Sequence, residues 1–67
     1  MVRVHGAKIR ELRELRKLTG AELAESVGVD QSAISFFERG LKVPKAETLK
    51  LIADKLEVPT DDLFTTI

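Results

Sequence analysis

Apolar residues recur at helical spacing in five short runs separated by Gly, Pro and capping residues, and none alternates as a half-buried strand would. In the first run Ile9, Leu12 and Leu15, continued by Leu18, return every third residue among Arg, Glu and Lys, which predicts a helix over about 6–17. Thr19 followed by Glu22 is a capping box, hydroxyl and carboxylate each satisfying a backbone N–H, and opens a second helix from Gly20 to about Val27. Gly28 stops that helix in the left-handed conformation. Asp30 is the next N-cap, so Gly28-Val29-Asp30 is a tight bend with Val29 buried in its angle. A third helix covers about 31–39 with Ala33, Ile34 and Phe37 inward, and Gly40 ends it. Beyond Leu41-Lys42-Val43-Pro44, a fourth carries Leu49, Ile52, Ala53 and Leu56 on one stripe. Val58-Pro59 breaks the pattern, and Thr60 with Asp61 and Asp62 caps a fifth helix of one or two turns ending in Leu63 and Phe64. The expectation is an all-α, compact five-helix bundle: one domain over 1–67, its core at about 6–64, with no repeat, low-complexity stretch or linker.

Composition narrows how such a bundle is held together. A chain of 67 residues falls below the roughly 70–80 at which a single core usually suffices without staples or very regular helix packing. With no Cys and one His, disulfides are excluded and a zinc site would have to rely on carboxylates. No metal or cofactor is expected. Apolar runs are at most two or three residues long, and Arg3, Lys8 and Arg10 interrupt the start, so neither a signal peptide nor a membrane span is expected and the chain reads as cytoplasmic.

Charge is neutral in sum, 11 basic against 11 acidic, and uneven along the chain. Residues 1–18 hold six basic and two acidic groups, whereas residues 19–40 hold Arg39 against Glu22, Glu25, Asp30 and Glu38. A basic first segment suits either an anionic partner or a solvated helix face. No nucleophile, phosphate loop or metal spacing is present, and adjacent Asp61 and Asp62 diverge by about 100° on a helix, so they cap rather than form an acid/base dyad. The chain is not expected to be an enzyme. His5 has no second His or Cys to act with and reads as an exposed or disordered N-terminal residue.

Two short helices joined by a Gly turn, the second with a polar outward face, form a helix-turn-helix arrangement. The start of the third helix offers Gln31, Ser32, Ser35 and Phe36 where a solvated face of this chain would carry Lys and Glu. Gln can bond adenine N6 and N7 together in a major groove, and Ser hydroxyls serve donors or acceptors.

The run TGAELAESVGVDQSAISFFERG, then LKVP, then AETLKLIADKLEVPTDDLF, resembles the phage repressor and Cro-like helix-turn-helix family, also called the xenobiotic-response-element family. The resemblance covers about residues 6–64. It rests on Leu18-Thr19, Glu22-Leu23-Ala24, Gly28-Val29, Ile34-Ser35, Glu38-Arg39-Gly40, Pro44, Glu47-Thr48-Leu49 and Leu63-Phe64. It implies a sequence-specific binder of double-stranded DNA, a transcriptional regulator of repressor type acting as a homodimer on a palindromic operator, whose third helix reads the groove. Position by position, Gln31, Ser32, Ser35 and Phe36 become the base-facing set, with Gln31 first, and Thr19, Arg39, Lys42 and Lys45 the phosphate contacts. The resemblance also pairs Arg13 with Glu38 as a structural ion pair. Two positions depart from the family: Gly20 stands where many relatives carry Gln, and Phe36 replaces a polar or basic residue.

Phe36 fits a thymine methyl or an apolar patch for a protein partner. The alternative function is accordingly a protein-interaction module of antitoxin or anti-repressor-binding type, with Phe36, Leu15 and Leu41 as its exposed surface and DNA binding secondary. Leu63, Phe64 and Ile67 are the expected dimer contact; alternatively the first two close the monomer core and Ile67 frays.

Overall fold

The computed structural model describes residues 2–66. In chain order they form β1 (Val2–Val4), α1 (Gly6–Leu15), α2 (Gly20–Val27), α3 (Gln31–Glu38), α4 (Ala46–Leu56), a 3₁₀ turn (Thr60–Leu63) and β2 (Phe64–Thr66). The expected five-helix bundle is therefore corrected to four α-helices, a single 3₁₀ turn and a small sheet. β1 and β2 pair antiparallel, Arg3 opposite Thr65 and Val4 opposite Phe64, and the His5 N–H continues the ladder to the Leu63 carbonyl at 2.7 Å. Three-residue strands are too short to display alternation, and their partners lie at opposite ends of the sequence, so no local pattern announces them. His5 is exposed, as expected, but its backbone is ordered as the N-cap of α1.

Ile9 and Leu12 from α1, Leu23 and Val27 from α2, Ile34 and Phe37 from α3, and Leu49, Ile52 and Leu56 from α4 bury together, and Leu63 closes the cluster with no exposure. Val4 and Val29 pack against it, half-buried. Leu15, which shares this three-residue spacing, is 73% exposed. Three residues advance a helix by about 300°, so each such step from Ile9 slips by about 60° and the third member leaves the core face.

Leu15 is also where α1 stops. Lys17 takes φ 58°, its N–H donates to the Glu14 carbonyl at 2.9 Å, and the Leu18 N–H reaches the Arg13 carbonyl at 3.1 Å. Glu57 closes α4 in the same way with φ 60°. Left-handed backbone costs an L-residue roughly 1–2 kcal/mol, and glycine returns part of that gain as entropy of the unfolded chain. Lys17→Gly is expected to stabilise the fold by about 0.5–1 kcal/mol. A denaturant midpoint that stays put or falls would show that this turn carries no strain.

Of the expected caps, only the first forms. Thr19 Oγ1 accepts from the Glu22 N–H at 3.0 Å and the Thr19 N–H donates to Glu22 Oε1 at 2.8 Å. Asp30 makes no side-chain cap, because the Ala33 N–H it would capture already donates to the Asp30 carbonyl at 3.0 Å. Thr60 does not cap either: Pro59 is the cap residue, its carbonyl accepting from the Asp62 N–H at 3.0 Å.

The Thr19 backbone N–H, then its hydroxyl, hold the Glu22 carboxyl below its ordinary value of 4.5, and Lys55 adds a smaller attraction. A depressed carboxyl stabilises the fold above its unfolded pKa and loses that contribution as pH falls through the folded one. Glu22→Gln keeps the capping geometry without the charge. It is expected to be less stable than the parent at neutral pH, with the gap closing as pH drops below about 4.5. A gap independent of pH in paired thermal melts would exclude a role for the charge.

Candidate nucleic-acid interface

Short helices and a three-residue turn set α2 against α3, and α3 is held from behind by α1. Ile34 and Phe37 anchor its inner side, leaving Gln31 and Ser32 exposed and Ser35 and Phe36 half-exposed. A β-carbon built on Gly20 would lie 3.9 Å from Gln31 Cγ and Nε2. The Gln31 side chain thus stands against the first turn of α2, at ordinary contact distance from position 20.

Thr19 is exposed beside this turn. Its hydroxyl accepts from the Glu22 N–H within the capping box. A helix N-terminus with N–H groups facing out suits a phosphate oxygen. At the other end of α3, Arg39 is exposed, with Nε 3.4 Å from the Ser35 carbonyl. Its guanidinium carbon lies 5.2 Å from the centre of the Phe36 ring, and Lys42 Nζ lies 5.0 Å from the same centre. Lys45 is the exposed cap residue of α4. Arg39 and Lys42 are therefore brought together, Gln31 is brought to the α2 terminus, and Lys45 stands on the following element. A groove of about 390 Å³ runs from Arg39 and Lys42 to Arg3 and His5.

The orientation of α3 is fixed from within by Arg13 and Glu38. Arg13 Nε and Nη2 donate to the two Glu38 carboxylate oxygens at 2.7 and 3.2 Å, and Nη1 donates to the Leu18 carbonyl at 2.7 Å. The side chains are 13% and 8% exposed, so this planar pair is shielded from solvent. Hydrogen bonding to Glu38, opposed by burial, raises the Arg13 pKa above its ordinary value.

Leu15 and Leu41 are 73% and 62% exposed, whereas the Phe36 ring is half-buried and attended by two cations. Leu63 cannot contribute to a dimer face as it stands, because the same side chain closes the core of the single chain. Phe64 is 37% exposed in β2, and Ile67 lies outside the described residues. Sequence reasoning missed the meeting of Lys42 with Phe36, which depends on the turn between them, although the i, i+3 spacing of Phe36 and Arg39 was visible. It also missed Arg16, whose Nε donates to the Leu56 carbonyl at 3.0 Å and whose Nη1 lies 3.3 Å from Glu57. Among the described residues no helix is long and apolar enough to cross a membrane, and no cluster of side chains could hold a metal ion.

Comparison with known proteins agrees with this geometry. The helix-turn-helix family model HTH_3 matches residues 9–63. The HTH-type transcriptional repressor RghR of Bacillus subtilis (strain 168) is 44% identical over 60 residues, covering 88% of this chain and 44% of that protein. The chain thus spans less than half the length of this curated relative. Among solved structures, the P22 c2 repressor in complex with a synthetic operator superposes with TM-score 0.86 at 34% identity, covering 91% of this chain and 92% of that one. The biofilm regulator SinR in complex with DNA gives TM-score 0.80 at 32% identity, over 87% of this chain and 97% of that one.

Proposed function

Because the chain belongs to the helix-turn-helix family, we propose that it is the sequence-specific DNA-binding domain of a transcriptional repressor acting in the cytoplasm. The observation that carries the proposal is the presentation of Gln31 and Ser32 at the exposed start of α3, against the first turn of α2, with cationic Arg39 and Lys42 gathered at its other end. A helix offered in this way enters a major groove N-terminal end first, so Gln31 reads a base edge with Ser32 and Ser35 beside it. Thr19, Arg39, Lys42 and Lys45 bond backbone phosphates, which fix register and supply salt-sensitive affinity. One eight-residue helix reads few base pairs, so two copies act together on a palindromic site, their α3 helices about 34–36 Å apart.

Titration of the protein and of Lys42→Ala and Lys45→Ala against a selected duplex and a random duplex, across a salt series, tests this. Each lost phosphate contact is expected to flatten the slope of log affinity against log salt by about one unit. Variants that leave both affinity and slope unchanged would place the docking face elsewhere.

A further inference from the structure

Phe36 faces outward on α3, and two cations attend its ring: the Arg39 guanidinium carbon at 5.2 Å and Lys42 Nζ at 5.0 Å from the centroid. Cations within about 6 Å of an aromatic face are attracted by its quadrupole. Arg39 arrives there by helical spacing, one turn beyond Phe36. Lys42 arrives through the backbone: Gly40 takes φ 75°, its N–H donates to the Phe37 carbonyl at 3.2 Å, and the Leu41 N–H donates to the Phe36 carbonyl at 2.9 Å. This Schellman closure needs a residue free to enter left-handed backbone, and it folds the chain back over the last turn of α3. Among the described residues, ion pairs engage Lys8, Arg10, Arg13 and Arg16, whereas Arg39 and Lys42 face no carboxylate at pairing distance. Each stands about 5 Å from one ring centre, so the two positive charges occupy one small region of surface, and an anion within reach of both is attracted to each.

We propose that Arg39, Phe36 and Lys42 form a preorganised clamp for one backbone phosphate of duplex DNA, with Phe36 as a positioning residue that contacts neither base nor phosphate. The proposal rests on the DNA-binding reading and sharpens it. A side chain held in its binding geometry before the encounter loses less conformational entropy on binding. Phe36 thereby contributes to affinity for every duplex alike, and the base-reading set contracts to Gln31, Ser32 and Ser35.

The test compares the parent protein with Phe36→Leu, which keeps apolar bulk without the quadrupole, and Phe36→Trp, which strengthens it. Binding is measured at low salt to a random duplex and to a panel of single-base-pair variants of a selected site. Proton NMR of the free protein reads ring-current shifts of the Arg39 δ and Lys42 ε protons. Phe36→Leu is expected to weaken binding about three- to tenfold, uniformly across the panel, and to abolish the ring-current shifts, while Phe36→Trp restores both. A loss confined to one base pair would make Phe36 a base reader and overturn the clamp; so would unchanged binding by Phe36→Leu. Should Phe36→Leu fail to fold, shifted Lys42 ε protons in the parent, together with binding retained by Phe36→Trp, support the clamp, and random-coil values overturn it. A parent protein that binds no duplex at all removes the proposed function with the clamp. A parent that binds while Phe36→Leu binds equally well removes only the clamp.

Discussion

Glu38→Ala is expected to lower the unfolding free energy by about 3–5 kcal/mol, with Arg13→Ala close behind. The guanidinium meets the carboxylate through two parallel hydrogen bonds of 2.7 and 3.2 Å and caps the Leu18 carbonyl with a third. At 13% and 8% side-chain exposure, neither charge regains full hydration when its partner is removed. The loss therefore reflects a stranded ion rather than the net worth of the pair. Domains retain roughly 0.05–0.15 kcal/mol per residue, so a chain of this length stands to lose much of its stability. Arg13 is held above its ordinary pKa, and a raised basic group contributes throughout the range below its unfolded value, so the arginine introduces no pH dependence of its own at accessible pH. Replacing both residues together by Met and Leu is expected to cost much less than either single change. Denaturant melts decide the matter: single-variant losses no larger than those of an exposed substitution would remove the pair from the account.

What the sequence made legible was local. The Thr19 capping box, the stops at Gly28 and Gly40, and the stripe Leu49, Ile52, Ala53 and Leu56 depend on residues within two turns of one another, and each formed as its chemistry dictates. The ends of α1 and α4 were obscure because Lys17 and Glu57 occupy left-handed backbone where glycine is the ordinary signal. Asp30 offered a cap that the backbone had already satisfied. The sheet was invisible because Arg3 pairs with Thr65 from the opposite end of the sequence, beyond the reach of any local pattern. At the interface, residue types identified Gln31 and Ser32, and helical spacing related Phe36 to Arg39. The return of Lys42 to the same ring required the turn at Gly40 to be seen.

Gly6→Ala is expected to destabilise the fold by about 2–3 kcal/mol, although alanine is the better helix former by about 0.5–1 kcal/mol. Gly6 opens α1 and is buried. A β-carbon there would overlap the Phe37 carbonyl oxygen and lie 2.9 Å from that of Glu38. Both obstacles are backbone, so no rotamer relieves them, and either the start of α1 or the last turn of α3 must move. That turn also carries the Glu38 carboxylate that grips Arg13 and leads directly into Arg39. The displacement is therefore expected to weaken DNA binding in the molecules that remain folded as well as to lower their number. Gly20→Ala provides the control: its β-carbon would meet only the Gln31 side chain, at 3.9 Å, an ordinary contact, so stability should hold or rise slightly. Thermal melts showing equal shifts for the two alanine variants would contradict the close approach of α1 to α3, and with it the reason that only glycine fits at position 6.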